Sequence, residues 1–148
     1  MTCLWPTTPL RWLLAALIAM LVCACGEDDE DRIDAFVESV TGELTSERVD
    51  HVLATYLDLQ ERPLSTTVLG ETHLYRSEDE ERLKELARSR LQRMFGTSLK
   101  PLRRQVEIKG ETARVDLQLL GDGMMGNVSY RLYKEGKRWL ISEVRISR

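Results

Sequence analysis

Three stretches of the chain repeat apolar residues with the spacing of an α-helix. Within each stretch, hydrophobic side chains recur three and four positions apart. Because an α-helix turns once in about 3.6 residues, this spacing aligns them on one face. The pattern predicts three amphipathic helices, each of which buries one apolar stripe. The stripes are Ile33, Phe36, Val37 and Val40; Val49, Val52, Leu53, Tyr56 and Leu57; and Leu83, Leu86, Ala87, Leu91 and Met94.

The residues that flank these stripes favour helix ends. Thr45 or Ser46 can cap the second helix through a side-chain oxygen, and Pro63 prevents that helix from continuing. The sequence from Ser77 to Glu80 has the pattern of a capping box, with acidic side chains at the positive end of the helix dipole. Gly96 follows the third stripe as a stop signal.

From Gln105 onward the hydrophobic period changes to two. Apolar and polar residues alternate in four segments that glycine-bearing turns separate. Such alternation is typical of strands with one buried face. It predicts a four-strand antiparallel meander whose apolar face is covered by the helices. The apolar positions are Val106 and Ile108; Ala113, Val115, Leu117 and Leu119; Val128, Tyr130 and Leu132; and Leu140, Val144 and Ile146.

The segment from Pro63 to Arg76 has no helical pattern. A loop of that length is uncommon in a compact domain. Val68 to Tyr75 fits either a short strand or strand pair near the sheet edge or a mobile lip, and the sequence does not decide between these alternatives.

The predicted elements give an α+β fold class, in the order helix, helix, extended segment, helix and four strands. Over residues 32–148 this order resembles the nuclear transport factor 2-like superfamily, also called SnoaL-like. The closing sequence EGKRWLISEVRI, Glu135 to Ile146, resembles the last hairpin and strand of that superfamily. The resemblance implies about three N-terminal helices packed on a curved, cone-like four-strand antiparallel meander. A cystatin-like helix-on-sheet fold is the alternative.

The N-terminus carries an apolar run that is too short to span a membrane. Trp12 to Cys25 holds 14 apolar or small residues after a single positive charge at Arg11. A spanning helix needs about 20 apolar residues, whereas the apolar region of a signal peptide is shorter. Residues 1–24 are therefore predicted to be a signal peptide.

The end of this run resembles the lipoprotein box of bacteria. Its aliphatic position, two small positions and lipidated cysteine are filled by Val22, Cys23, Ala24 and Cys25. The resemblance implies cleavage after Ala24 and a lipid anchor on Cys25. Each buried methylene of such an anchor contributes about 0.8 kcal/mol, so several acyl chains hold a protein on the membrane. Since the other cysteines precede the cut, the mature chain would have no free thiol and no disulfide.

Acidic residues follow the predicted anchor. Because residues 27–31 are all acidic, residues 25–31 are predicted to be the lipidated cysteine and a solvated tether. Gly26 stands where an aspartate often signals retention in the inner membrane, and the resemblance therefore favours the outer membrane. We expect a lipid-anchored protein of the bacterial cell envelope, with one domain at residues 32–148.

Charge and motifs argue against several kinds of partner. The formal net charge of −3 does not favour nucleic acid. Cys23 and Cys25 lack the further ligands of a metal site, because His51 and His73 are isolated. The segment from Gly121 to Gly126 spells G-x-G-x-x-G, but a strand pattern follows it where a nucleotide site needs a helix. A flexible hairpin loop explains these glycines, so no metal and no cofactor is predicted.

Two tyrosines are candidates for the lining of a pocket. Tyr56 and Tyr130 fall on apolar faces of a helix and a strand, so they could face the space between helices and sheet. Some members of the resembled superfamily are isomerases or dehydratases, which would require an acid–base group there. No such pair can be assembled from the spacing of Asp116, His51 and His73. We therefore expect no enzyme activity.

Three large side chains fall on the polar phase of the last two strands. Tyr133, Trp139 and Ile141 predict an exposed patch on the outer face of the sheet, unless a loop or the C-terminus covers them. The first functional hypothesis is a scaffold that contacts another envelope protein, or a second copy, through this patch. The second is binding of a small apolar ligand in the pocket. The third is an isomerase- or dehydratase-like enzyme.

Overall fold

The computed structural model describes residues 29–148. The chain divides into two compact units, one that ends at Asp34 and one that runs from Ala35 to Arg148. Of the first unit only residues 29–34 are described, and they are helical, whereas the sequence predicts a tether over residues 25–31. The predicted signal peptide, the cleavage after Ala24 and the lipidated Cys25 lie outside the described residues.

Three α-helices in the described chain coincide with the three predicted stripes. Their buried side chains belong to the stripes, as Phe36, Val49 and Leu83 show. Among residues 29–148, no helix combines the length and the apolar character that crossing a bilayer requires. The helices are α1 (described over 29–40), α2 (Ser46–Tyr56) and α3 (Glu80–Leu91), with short 3₁₀ helices at Ser77–Asp79 and Gln92–Met94.

Side-chain hydrogen bonds stabilise the turns that precede α2 and α3. Thr45 caps α2, because its hydroxyl accepts a hydrogen bond from the backbone N–H of Arg48 at 3.1 Å. The reciprocal capping box predicted from Ser77 to Glu80 does not form before α3. Only one of its two hydrogen bonds is present, one residue earlier, because the side chain of Arg76 cannot accept a hydrogen bond. There the backbone N–H of Arg76 donates to Asp79 at 3.0 Å, and a 3₁₀ turn precedes the α-helix.

The described residues form one curved, mixed sheet of seven strands, not four. The four-strand antiparallel meander is present as the last four strands. A hairpin joins it through a parallel pairing with the last strand, and a two-residue strand lies at the other edge. The strands are β1 (Gly42–Glu43), β2 (Leu64–Val68), β3 (Glu71–Tyr75), β4 (Ser98–Lys109), β5 (Thr112–Gly121), β6 (Met124–Glu135) and β7 (Arg138–Ser147), in the spatial order β1-β4-β5-β6-β7-β2-β3.

The segment that the sequence left open is a strand pair at the sheet edge. β2 and β3 pair from Leu64 with Tyr75 to Val68 with Glu71. The β5–β6 connection is also tighter than predicted. Asp122 and Gly123 both have positive φ, 52° and 75°, which is the signature of a two-residue type I′ turn. The strands therefore continue to Gly121 and Met124, and no helix follows the glycines.

The core of the second unit lies between the helices and one face of the sheet, which we call the inner face. Val115, Leu117 and Leu119 of β5 are buried there. The ring of Phe36 in α1 packs edge-on against Tyr56 of α2 at 5.0 Å and against Tyr130 of β6 at 5.1 Å between ring centres. These contacts attach two helices to the middle of the sheet. The opposite, outer face carries the polar residues of the meander.

Candidate ligand cavity

A cavity of about 390 Å³ lies between the helices and the inner face of the sheet. Its wall is mostly aliphatic, because the apolar stripes of α2 and α3 face the apolar phase of β5 and β6. Binding sites for small molecules commonly have volumes of about 300–1,000 Å³ and apolar walls. Aliphatic residues of the wall include Val49, Val52, Leu53, Leu91, Leu119 and Val128.

Small residues keep part of this space open. Ala87 of α3 and Gly121 and Gly126 of the sheet are among the lining residues. A Cβ at Gly121 would lie 2.7 Å from the side chain of Leu99, so a larger residue does not fit there without movement. At Gly126 the nearest atom to an added Cβ is 3.9 Å away. The missing side-chain volume at Ala87 and Gly126 thus contributes to the hollow, whereas Gly121 allows the close approach of Leu99.

Methionines surround the mouth of the cavity. Met94, Met124 and Met125 line it and are all exposed, Met124 to 72%. The tight turn at Asp122 and Gly123 fixes the two consecutive methionines at the rim. Methionine side chains are flexible and polarisable, so they adapt to apolar partners of different shape. This rim suits entry of a molecule into the apolar interior.

The hydroxyl of Tyr130 is a neutral polar group in the cavity wall. Burial raises the pKa of Tyr130 to about 12, so the hydroxyl keeps its proton at neutral pH. Tyr130 lines the cavity. It can therefore donate to an oxygen or nitrogen acceptor on a bound molecule.

The charged side chain of the wall, Arg48, is occupied. Its guanidinium donates to the carbonyl oxygen of Glu38 at 2.6 Å and to that of Thr41. These carbonyls lie at the negative end of α1, where a cation is stabilised. Among the described residues, no carboxylate and no histidine lines the cavity. The hydroxyl of Ser39, also in the lining, donates to the carbonyl oxygen of Ala35 at 2.9 Å. The site is therefore mostly apolar, with the hydroxyl of Tyr130 as a neutral donor.

The structure separates the two tyrosines that the sequence grouped. Tyr130 lines the cavity, whereas Tyr56 is buried against Phe36 and is not part of the lining. His51 and His73 are exposed, and Asp116 lies on the outer face 2.8 Å from Arg114. In the described part of the chain, no three His, Cys, Asp or Glu residues are placed to hold a metal ion.

The exposed patch expected at Tyr133, Trp139 and Ile141 is not found, because the structure buries all three residues to 4%, 3% and 8% exposure. A β-bulge at Ser142 changes the phase of β7. Arg131 pairs with Glu143, but the next residue, Leu132, pairs with Ile141. The residues before the bulge therefore occupy the opposite face from the one that strict alternation assigns.

The bulge divides the predicted patch between the two faces. Trp139 and Ile141 share the phase of Leu132 on the inner face, whereas Tyr133 stays on the outer face. A loop then covers Tyr133, since the guanidinium carbon of Arg62 lies 3.9 Å from its ring centre. Arg138 holds the same loop through Asp58 at 3.2 Å. Neither the bulge nor this cover has a signal in the local hydrophobic pattern.

Comparison with known proteins identifies the fold but not a family. No family model matches the chain, and no curated protein does. A nuclear transport factor 2-like protein of unknown function from Pseudomonas putida superposes with a TM-score of 0.60 at 9% identity, over 84% of this chain and 87% of that chain. A protein of unknown function with a cystatin-like fold from Nostoc punctiforme gives a TM-score of 0.58 at 14% identity, over 80% and 89%.

A third similar structure is a ketosteroid isomerase-like protein from Shewanella frigidimarina. Its TM-score is 0.52 at 18% identity, over 66% of this chain and 80% of that chain. At these identities the likeness shows the fold alone. The chain has a nuclear transport factor 2-like α+β fold. The predicted alternative, a cystatin-like fold, is the fold named for the similar protein from Nostoc punctiforme.

Proposed function

We propose that this chain is a lipid-anchored protein of the bacterial cell envelope whose domain binds a small apolar molecule in the cavity between the helices and the inner face of the sheet. The observation that carries the binding function is the cavity of about 390 Å³, with aliphatic walls and a tyrosine hydroxyl in the lining. An apolar ligand would gain about 25 cal/mol for each Å² of apolar surface that it buries there.

The chemistry of the wall narrows the class of ligand. The guanidinium of Arg48 is held by helix carbonyls, and no carboxylate of the described residues faces the space. A cationic ligand would therefore find no counter-ion, and an anionic ligand would have to compete with these carbonyls for the guanidinium. The hydroxyl of Tyr130 instead favours a neutral molecule with one acceptor, such as a carbonyl or ether oxygen.

The same wall favours binding over catalysis. An isomerase or dehydratase needs a general base in reach of its substrate. The cavity wall provides no carboxylate or histidine within residues 29–148, and a tyrosine with a pKa of about 12 is protonated at neutral pH. The scaffold hypothesis depends on an exposed patch at Tyr133, Trp139 and Ile141, and these three residues are buried.

A neutral, environment-sensitive dye such as N-phenyl-1-naphthylamine tests the binding function. The protein would be residues 25–148 with Cys25→Ser, which removes the lipid and keeps every described residue. Ala87→Phe places a ring into the cavity wall, whereas Ala54→Phe adds the same ring at an exposed position of α2. We expect dye binding to weaken at least about tenfold in Ala87→Phe and to persist in Ala54→Phe. Equal binding by both variants would exclude the cavity as the site.

The anchor is supported by the sequence from Val22 to Cys25, a lipoprotein box at the end of an apolar run. Gly26 after the cysteine supports the outer membrane as its destination. Metabolic labelling with radioactive palmitate tests the modification. We expect label on the wild-type chain, none on Cys25→Ser, and release of that variant from the membrane fraction. Label on Cys25→Ser would refute the anchor and leave the ligand proposal intact.

A further inference from the structure

The outer face of the sheet carries two adjoining recesses on the side opposite the apolar cavity. One has a volume of about 520 Å³ over the middle of the meander, and the other has about 390 Å³ near the β6–β7 hairpin. Arg114 and Arg131 line both recesses, so the two form one continuous depression. We call this depression the outer groove.

The outer groove is basic, although the chain has a net charge of −3. Three acidic side chains face six basic ones, so positive charge is in excess. Such a local concentration of one sign attracts ligands of the opposite sign. The basic residues are Arg62, Arg103, Lys109, Arg114, Arg131 and Arg145.

The acidic residues orient these arginines without using all their donors. Arg114 contacts Asp116 at 2.8 Å, and Glu143 is shared between Arg131, at 3.5 Å, and Arg145. Each of these ion pairs joins the Nε of the arginine to a carboxylate oxygen. A guanidinium carries further N–H donors on its terminal nitrogens, in the planar fork that binds oxyanions.

A second, independent observation points to a ligand in the same place. Tyr133 lines the groove, its side chain is 4% exposed, and its hydroxyl has no hydrogen-bond partner within the described residues. The ring lies under the guanidinium of Arg62, which fixes its position. Buried hydroxyls are nearly always satisfied, so an unpaired one in a binding depression marks a place for an external acceptor.

We propose that the outer groove binds the phosphate group of a small molecule or a lipid headgroup. Arg114 and Arg131 hold the phosphate oxygens, and the hydroxyl of Tyr133 donates to one of them. A phosphate matches the excess of positive charge and the arginine forks together. The volume of the groove leaves room for the organic part of a phosphate ester.

Titration calorimetry of the full chain in a non-ionic detergent, with inorganic phosphate and glycerol 3-phosphate as probes, tests this site. We expect Arg131→Gln to weaken phosphate binding at least about tenfold and Tyr133→Phe to weaken it several-fold. The controls are Arg93→Gln and Tyr75→Phe, which change the same residue types outside the groove and should leave binding unchanged. No phosphate binding at millimolar concentration, or binding that Arg131→Gln does not alter, overturns the proposal.

Thermal unfolding gives a second readout for Tyr133. Without phosphate, Tyr133→Phe should raise the melting temperature, because it removes an unsatisfied hydroxyl, while the stabilisation by phosphate should shrink. A variant that keeps the full phosphate stabilisation of the wild type would refute the role of the hydroxyl.

Vesicles distinguish the two sources of phosphate. The protein, residues 25–148 with Cys25→Ser, would be mixed with vesicles of phosphatidylglycerol or of phosphatidylcholine. Retention on phosphatidylglycerol that Arg131→Gln abolishes assigns the groove to a lipid headgroup. Binding of glycerol 3-phosphate without such retention assigns it to a soluble ester, and the absence of both rejects the site.

Discussion

Arg48 shows how a charged residue can line an apolar cavity without making it polar. The apolar stripe of α2 was predicted correctly, but it gave no sign that Arg48, directly before its first member, would reach back to the end of α1. Gly42 makes this contact possible. Its φ of 84° turns the chain, and a Cβ there would lie 3.3 Å from the guanidinium. Such a contact depends on three-dimensional proximity, which residue spacing does not encode.

Replacing Arg48 by methionine should destabilise the protein. The variant keeps an apolar stem in the cavity wall but leaves the carbonyls of Glu38 and Thr41 without their charged donor. We expect a loss of about 2 kcal/mol in the free energy of unfolding, measured with urea. Arg82→Met, at an exposed site of α3, serves as the control and should change stability by less than about 0.5 kcal/mol.

The raised pKa of Tyr130 predicts a loss of stability in alkali. The unfolded tyrosine ionises near its ordinary pKa of 10.0, whereas the folded one keeps its proton up to about 12. Between these values the unfolded state binds fewer protons, so stability is complete below pH 10 and falls as the pH rises. The loss should reach about 2 kcal/mol at pH 12.

Comparison with Tyr130→Phe isolates this effect, since burial also raises the pKa of Tyr133 and that contribution is common to both proteins. Denaturant unfolding at increasing pH should show a steeper decline in the wild type than in the variant. Parallel curves for the two proteins would contradict the burial of the hydroxyl.

At the scale of elements, strong periodic patterns were predictable and local irregularities were not. The three helices and the β4–β7 meander follow long apolar repeats. The sequence does not decide whether β2 and β3 form a strand pair. Both strands are short, lie at the sheet edge and are rich in threonine and other polar residues. The sequence does not predict the bulge at Ser142, because one extra residue barely changes the composition of β7. That residue nevertheless places Trp139 and Ile141 on the opposite face of the sheet.

Deleting Ser142 tests the structural role of the bulge. Without it, regular pairing would turn Trp139 and Ile141 to the outer face or shift the rest of β7. We expect a loss of about 3 kcal/mol or more, since burying each such side chain contributes about 1.5–3 kcal/mol. Ser142→Ala removes only a hydrogen bond of 3.3 Å to the carbonyl of Arg131 and should be close to wild type. A stable deletion variant with buried Trp139 fluorescence would refute this interpretation.

At the scale of the whole molecule, the open question at the sequence level was whether the space between helices and sheet is hollow. The answer depends on side-chain volumes from α2, α3, β5 and β6, which are far apart in the chain. Ala87 and Gly126 look ordinary in their own segments and become significant only because they line the same cavity. The fold class was therefore accessible to pattern analysis, while the cavity was not.

Native mass spectrometry of residues 25–148 with Cys25→Ser, purified without detergent from bacterial cells, tests the ligand cavity most directly. We expect the protein to carry a non-covalent adduct of a small neutral molecule. The adduct should persist in Ala54→Phe and disappear in Ala87→Phe, which fills the cavity. An adduct-free mass for the wild-type sequence even after incubation with neutral lipid extracts, or an adduct that Ala87→Phe retains, would contradict the proposed binding site.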